Sequence, residues 1–408
     1  MQSIQRHDAL ILLRHSLSAP KVMHTLRSSP SFDHSQLLEL DKILRECLCN
    51  LLNADMSDNQ WLQATLPVRR GGLGIRSISQ LAPSAFLASY NSTRELQLQI
   101  LGNHVASVDL DYVSAESLWS SGLQIGVPVG PAACYQKHWD GPVVERSYTR
   151  LQESLTDVRE RARLLAVSAP RSSDWLNALP IASCGLRLDD EAVRIAAGLR
   201  LGTKLCEPHV CICGSAVDPR GHHGLSCRKS SGRTSRHHNL NDIVCRALAK
   251  AEIPAIKEPS GLSRSDGKRP DGMTQIPWVG GKSLLWDVTV CDTLAASYLD
   301  VSSVSAGGVA EQAADRKITK YSNLSSDYSF APLAFETLGP LNKEGEEFLS
   351  ILGKRLVTVT GDKREPSFLR QRISICIQRF NSVCVKGTFN SNPVLLHNNA
   401  SSLHSQCF

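Results

Sequence analysis

Seven cysteine and histidine residues lie close together in one polar stretch, with types and spacing that suit a metal ion. They fall between positions 206 and 227 and are Cys206, His209, Cys211, Cys213, His222, His223 and Cys227. Tetrahedral zinc takes four such ligands from two short arms of chain. Gly214 allows a sharp turn behind the first arm, and the following loop is long enough to bring back the second. The preferred zinc set is Cys211, Cys213, His223 and Cys227, with Cys206, His209 and His222 as alternates.

Such a zinc ion would be structural. Four protein ligands leave no open position for water, so the ion would stabilise a small knuckle and perform no chemistry. The Cys-x-Cys spacing is tighter than the usual gap of two to four residues. The alternative is a set of reduced cysteines and surface histidines without metal, but a segment too polar to form its own core favours metal binding.

Two aspartates sixteen residues apart form a second candidate site. Asp271 follows Arg269 and Pro270, whereas Asp287 lies inside the β-rich run 284–290. Because side chains alternate along a strand, Trp286 and Val288 should face the core and Asp287 the opposite side. We place Asp271 at the turn after a hairpin, where it could share Mg²⁺ with Asp287. That ion would orient water and neutralise charge on a phosphorane-like transition state, although such pairs of acids also occur by chance.

A nuclease of this type also needs a cation near the attacking water. The position two residues after the second acid, where lysine is typical, holds Thr289. The later helical run 310–321 offers Lys317 and Tyr321 at i and i+4, with Lys320 near the same side. An ordinary exposed helix face is the alternative for both lysines. Glu258 is a further candidate acid, for which a solvated loop carboxylate is the competing interpretation.

Basic residues are concentrated around these two sites. Between Lys204 and Arg269 the chain has twelve Lys or Arg against six Asp or Glu, so the net charge of +6 resides there and the remainder is about neutral. Concentrated positive charge favours a polyanionic partner, although a solvated basic face is the plainer alternative. The residues predicted to contact nucleic acid are Arg228, Lys229, Arg233, Arg236, His237, Lys268 and Arg269.

The elements that must position these residues follow from hydrophobic periodicity. Residues 35–52 carry leucines three and four apart, as in an amphipathic helix, and further helices are predicted at 81–87, 143–165 and 189–201, the last capped by Asp189 and Asp190. After Arg236 helices and strands alternate: a helix at 239–251, extended runs at 253–257, 284–290 and 330–337, and helices at 309–321 and 368–385. This alternation predicts an α/β domain after a helical N-terminal half.

Composition limits the class of protein. A hydrophobic content of 42% and a charged content of 21% are typical of globular domains, which excludes wholesale disorder. We expect no membrane association, because no apolar run approaches the length of a bilayer crossing and no secretory leader is evident. Thirteen cysteines in such a chain favour free thiols and metal ligation over disulfides, which predicts an intracellular protein.

The motifs, taken in order, resemble the C-terminal part of the reverse-transcriptase polyproteins of non-LTR retrotransposons that carry a restriction-like endonuclease. Residues 12–14, 19–21, 26–27, 60–64, 66–76 and 85–89 look like the polymerase thumb and the region after it. Residues 211–227 look like the zinc knuckle that precedes the nuclease. Arg236-His237, Leu240-Asn241, Arg269-Pro270-Asp271, the run 286–289, and Lys317 with Lys320-Tyr321 look like a PD-(D/E)xK nuclease core.

The resemblance implies a division of the chain and a set of roles. The segments are a thumb-like region at 1–100, a helical linker at 101–203, a zinc knuckle at 204–232, a restriction-like endonuclease domain at 233–389 and a frayed tail at 390–408. Asp271 and Asp287 would bind Mg²⁺, and a helix-borne lysine would replace the usual one. The partner would be chromosomal DNA, nicked to prime copying of the element's RNA, which is a second candidate partner. Nuclear location is then expected, although no basic cluster is dense enough to act as an import signal.

One departure limits what the chain can do. No aromatic-x-Asp-Asp turn typical of a polymerase palm occurs, and the nearest match, Leu188-Asp189-Asp190, reads as a helix cap. We therefore expect no polymerase activity, and the sequence reads as a truncated copy or a fragment. Two alternatives to a nuclease stay open: a catalytically inactive nucleic-acid-binding remnant, and a zinc-stabilised structural or regulatory protein.

Overall fold

A computed structural model describes residues 4–102, 109–123, 125–262 and 269–389. The fold is mixed α/β, about 61% helical with a small mixed sheet, which confirms the predicted α/β class. The predicted frayed tail at 390–408 and the predicted phosphate contact Lys268 lie outside the described residues. No helix in the described ranges combines the length and apolarity that a bilayer crossing requires.

Helices make up the N-terminal half and share one buried core that extends from Ala9 to Leu201. A π-helical turn at Leu13–Leu17 joins the first two helices. The leucines of the predicted amphipathic stripe, among them Leu37, Leu44 and Leu48, are buried in this core. The helices are α1 (Arg6–Leu12), α2 (Ala19–Ser28), α3 (Gln36–Leu52), α4 (Asp58–Thr65), α5 (Ile78–Leu101), α6 (Leu110–Ser120), α7 (Gln136–Ser154), α8 (Val158–Ser168) and α9 (Asp190–Leu201).

Capping residues set two boundaries in this half. The predicted continuous helix at 143–165 is wrong, because α7 ends at Ser154 and α8 begins at Val158. Asp157 lies in the break, and its Oδ1 accepts a hydrogen bond from the Arg159 amide at 2.8 Å, which starts a new helix. The cap predicted for α9 is confirmed, since Oδ1 of Asp189 accepts from the Ala192 amide at 2.7 Å.

The second half combines a short cysteine-rich segment with a four-stranded sheet. Its elements are β1 (His209–Val210), β2 (Ala216–Val217), α10 (His222–Ser226), α11 (Ser231–Lys250), β3 (Ala255–Lys257), β4 (Gly272–Val279), β5 (Lys282–Cys291), α12 (Leu299–Ser302), α13 (Gly308–Lys320), β6 (Ser329–Glu336), α14 (Lys343–Thr360) and α15 (Glu365–Lys386). The sheet order is β3-β4-β5-β6. The β3/β4 and β4/β5 pairs are antiparallel and the β5/β6 pair is parallel.

Strand β5 divides its side chains between two faces as predicted. Leu284, Trp286 and Val288 lie in the large core that α11, α14 and α15 cover. On the other face Cys291 packs with alanines of α13. Asp287 belongs to this second face, so the strand directs its carboxylate toward α13 and away from the main core.

Strand β4 was not predicted, and its presence moves Asp271. Asp271 immediately precedes β4 and its amide donates to the Trp286 carbonyl at 3.0 Å, so the predicted position at a turn after a hairpin is wrong. Pro277 obscures the strand in sequence, but it lies beyond Thr274, where the pairing with β3 stops. Gly272 is required by contact, because a Cβ there would lie 2.0 Å from a carbon of the Trp286 ring.

Helix α15 connects the two halves of the molecule. It contacts α9 on one side and α10, α11 and α14 on the other. A smaller buried cluster, which includes Leu199 of α9, Leu225 of α10 and Val385 of α15, lies where these elements meet. Gly224 allows the close approach of α10, because a Cβ there would lie 2.9 Å from the Cys384 carbonyl oxygen.

Candidate functional site

The preferred zinc ligands converge. The Sγ atoms of Cys211 and Cys227 are 3.7 Å apart, Sγ of Cys213 is 3.1 Å from Nε2 of His223, and all four ligand atoms lie within 4.8 Å of one another. Two thiolates on one tetrahedral zinc ion are about 3.8 Å apart, given Zn–S bonds of about 2.3 Å. The four side chains can therefore hold a zinc ion.

Local backbone geometry brings the two arms together. The first arm turns at Gly214, which has a φ of +90° that favours glycine, and the Gly214 amide donates to the Cys211 carbonyl at 2.7 Å. On the second arm α10 carries His223 one turn before Cys227, and the Cys227 amide donates to the His223 carbonyl at 2.9 Å. Each arm thus presents two ligands on one side.

The thiols of the first arm differ in acidity. Hydrogen bonds from Ser215 lower the pKa of the Cys213 thiol to about 6. Burial raises the pKa of the Cys211 thiol to about 11. Cys213 is therefore a thiolate at neutral pH, the form that binds metal, whereas Cys211 would lose its proton on coordination.

The three alternate ligands are engaged elsewhere. Sγ of Cys206 lies 3.5 Å from the Asp218 carbonyl oxygen. Nε2 of His209 lies 2.9 Å from Oγ1 of Thr388, and its ring stacks on Phe389 at 4.1 Å. Nδ1 of His222 is 3.2 Å from Oδ2 of Asp218. Cys206 and His222 thus contact Asp218 within the knuckle, whereas His209 joins the knuckle to the residues directly after α15.

Helix α13 holds both carboxylate oxygens of Asp287. Nζ of Lys317 donates to Oδ1 at 2.5 Å, and the Tyr321 hydroxyl donates to Oδ2 at 2.8 Å. Lys320 donates to the same tyrosine hydroxyl at 2.8 Å, and its ammonium lies 4.4 Å from the centre of the Tyr321 ring. Lys317 and Tyr321, spaced i, i+4, thus each bind one oxygen of a carboxylate that is only 3% exposed.

Asp271 joins this assembly from the neighbouring strand. Its amide donates to the carbonyl of Trp286, the residue before Asp287 on β5, at 3.0 Å. Oδ2 of Asp271 accepts from the Val288 amide at 2.6 Å and lies 3.0 Å from Nε2 of His237. The hydrogen bond to Asp271 raises the pKa of His237 above its usual value, and the nearby Asp287 carboxylate acts in the same direction.

Sequence reasoning missed one link in this network. Asn241, one turn after His237 on α11, donates to the Asp271 carbonyl at 3.0 Å and accepts from the Trp286 indole at 2.8 Å. His237 was predicted as a phosphate contact and not as the partner of Asp271. The i, i+4 spacing of these two polar residues on an otherwise amphipathic helix was the available signal.

The backbone of Glu258 is hydrogen-bonded to the backbone of Asp271, but the Glu258 side chain has another partner. The Glu258 amide donates to the Asp271 carbonyl at 3.1 Å, but its carboxylate forms an ion pair with Arg269 and is half exposed. The predicted acid and the predicted phosphate contact therefore partly neutralise each other. To act as the predicted further acid, Glu258 would first have to leave Arg269.

A cavity of about 510 Å³ opens between the start of α11, the middle of β5 and Lys317 of α13, and we call it the α11 cavity. Arg228 and Arg233 line it and are exposed, and Lys229 is exposed beside them. Arg236 also lines the cavity but is only 1% exposed, with its guanidinium 2.6 Å from Oδ1 of Asn381. It thus forms part of a buried wall rather than the basic surface.

Comparison with known proteins adds no relative. No protein-family model matches the chain, and no curated protein matches it significantly.

Proposed function

We propose that this chain is a metal-dependent DNA endonuclease of the PD-(D/E)xK class. The observation that carries the proposal is the proximity of three side chains: Asp271, directly before β4, and Asp287, on β5, both act on His237, and Lys317 bonds Asp287 beside a basic cavity. Carboxylate oxygens from adjacent strands are the hard ligands that Mg²⁺ prefers. When bound, Mg²⁺ would polarise the phosphate and lower the pKa of an attacking water.

Lys317 and Lys320 would have different roles in the reaction. Lys317 is a quarter exposed and bonds Asp287, so its ammonium can balance charge on a scissile phosphate held beside that carboxylate. Lys320 acts through the Tyr321 hydroxyl and would therefore position Asp287 without touching substrate. We assign Lys317 as the catalytic lysine and Lys320 as a positioning residue.

The cysteine knuckle supports this site in the proposed function. A zinc ion held by Cys211, Cys213, His223 and Cys227 fixes the chain directly before α11, which carries His237. The Ser230 amide donates to the Cys227 carbonyl at 3.1 Å, so the last ligand leads straight into the helix. The zinc would hold structure, since four protein ligands leave no position for water.

The retroelement assignment belongs to the same proposal and rests on the order of the motifs. It identifies the substrate as chromosomal DNA in the nucleus and leaves the element's RNA as a second partner. The exposed cations Arg228 and Arg233 support a polyanionic partner, because they line the cavity that also contains Lys317, and Lys229 is exposed next to Arg228 in sequence.

The test is nicking of supercoiled plasmid with Mg²⁺ by wild type, Asp287→Asn and Asp300→Asn. Asp300 is an exposed acid away from the cavity and provides a charge-matched control. We expect nicking by wild type and the control and its loss in Asp287→Asn. Equal nicking by all three proteins would exclude this site as its source. DNA binding without nicks in wild type would favour the inactive nucleic-acid-binding remnant.

A further inference from the structure

The start of α11 presents one face to the α11 cavity. Ser230, Arg233, Thr234 and His237 follow one another at spacings of three, one and three, which places them on one side of a helix, and all four line the cavity. The first turn of this 20-residue helix therefore forms part of the cavity wall. A helix N-terminus favours an anion because its first amides lack intrahelical acceptors.

The wall of the α11 cavity carries positive charge. Arg228, Arg233, Arg236 and Lys317 line it, and no carboxylate is among the described residues that do so. Lys317 already has Asp287 as its partner, but Arg236 makes no ion pair with any described residue. This guanidinium is only 1% exposed, and the Asp292 carboxylate acts on it electrostatically without a direct ion pair.

Two buried polar atoms on this wall lack partners among the described residues. Nε of Arg236 is one, and Oγ of Ser230, a residue only 8% exposed, is the other. Ser230 is the N-cap of α11, yet its side chain accepts no hydrogen bond from the first turn. A serine that caps in the ordinary way would satisfy this oxygen. Both orphaned groups can donate to an anion in the cavity.

We propose that the α11 cavity binds a backbone phosphate of a nucleic acid, separate from the phosphate cut at Asp271 and Asp287. The donors are the first amides of α11, Oγ of Ser230, Nε of Arg236 and the side chain of Arg233. The inference rests on the proposed function for the identity of the polyanion. Because the cavity reaches Lys317, a phosphate in it would lie close to the cut.

Ser230→Asp is the decisive variant. Aspartate is a good N-cap and interacts favourably with a helix N-terminus, so folding should be preserved while a fixed negative charge occupies the phosphate position. Ser57→Asp places the same charge at the N-cap of α4, in the other half of the chain. Thermal unfolding of both variants and of wild type verifies that they are folded.

Binding is measured without Mg²⁺, by fluorescence anisotropy of a short blunt DNA duplex with hydroxyl ends. We expect Ser230→Asp to raise the dissociation constant at least about tenfold and to reduce the slope of log K against log salt by about one. Ser57→Asp should stay within about twofold of wild type, as expected for a surface change outside the interface. An unchanged dissociation constant and slope in Ser230→Asp would overturn the proposal.

A second pair of variants guards against an indirect effect. Arg233→Gln should lower the salt slope in the same way, whereas Arg246→Gln, on the exposed side of the same helix, should leave it unchanged. Sodium phosphate should compete with DNA better than chloride at equal ionic strength in wild type but not in Ser230→Asp. If Ser230→Asp weakens only duplexes that carry a terminal phosphate, the backbone assignment is wrong.

These results separate the phosphate site from the nuclease. Weakened binding in Ser230→Asp without nicking in wild type would support the phosphate site and remove the nuclease. Nicking in wild type with undiminished binding in Ser230→Asp would support the nuclease and exclude the phosphate site.

Discussion

Nζ of Lys317 lies 2.5 Å from Oδ1 of Asp287, and this contact joins α13 to the centre of the sheet. Removing the ammonium would leave a carboxylate that is 3% exposed without its counter-charge. We expect Lys317→Met to lower the free energy of unfolding by about 2 kcal/mol, and the double variant with Asp287→Asn to recover most of that loss. Chemical denaturation measures both changes.

The same substitution also tests catalysis. Lys317→Met should reduce plasmid nicking at least about 100-fold, because Lys317 is the lysine whose ammonium bonds Oδ1 of Asp287. Lys354→Met, on an exposed part of α14, is the matched control and should nick normally. Full nicking by Lys317→Met would remove this lysine from the mechanism.

Zinc should be bound at one ion per chain and should be needed for stability. Cys227→Ser removes a ligand that leads directly into α11, so we expect loss of bound zinc and a decrease in the free energy of unfolding of more than about 3 kcal/mol. Metal analysis and thermal unfolding measure the two effects. Cys206→Ser and the exposed Cys134→Ser should keep the ion. Retention of zinc by Cys227→Ser would contradict the ligand set.

His237 should make stability depend on pH. Its hydrogen bond to Asp271 raises its pKa above the usual 6.5, so the folded state favours the protonated ring. Its contribution is therefore complete below pH 6.5 and is lost as pH rises through the raised pKa. Wild type should exceed His237→Asn in free energy of unfolding at low pH, and the difference should shrink with rising pH. His238→Asn, an exposed neighbour, should show no such trend, and a difference that grew with pH would reverse the assignment.

Gly272 should tolerate no side chain. A Cβ at this position would lie 2.0 Å from the Trp286 ring, so Gly272→Ala must displace either β4 or the tryptophan. We expect a loss of about 2 to 4 kcal/mol in the free energy of unfolding, together with weaker nicking because Asp271 is adjacent. Gly126→Ala, at an exposed position with open space around it, should change the free energy of unfolding by no more than about 0.5 kcal/mol. Equal stability of the two variants would contradict this contact.

Local patterns in the sequence predicted much of the fold. The alternation along β5 placed Asp287 on the correct face, the aspartate before α9 predicted its cap, and the spacing of Cys211, Cys213, His223 and Cys227 predicted the cluster. Each of these depends on neighbours within one or two turns or on strand periodicity. Helix α14 had a similar signal in Phe348, Leu352 and Leu356, which sequence reasoning did not use.

Long-range relationships were the part that sequence could not provide. The pairing of β4 with β5 brings Asp271 to the backbone of Trp286 and Val288, on either side of Asp287, and no local pattern fixes that register once Pro277 disguises the strand. The contact of His237 with Asp271 joins residues 34 positions apart. The ion pair between Glu258 and Arg269 depends in the same way on the path of the chain between these two residues.

The position of α15 has a consequence for biosynthesis. Both the helical half and the cysteine knuckle pack against α15. This helix leaves the ribosome more than a hundred residues after either of them. Until Glu365–Lys386 emerges, the nascent chain exposes two apolar surfaces that have no common support. A ribosome that stalled before this point would release a product prone to aggregation, even though every proposed metal ligand had already been made.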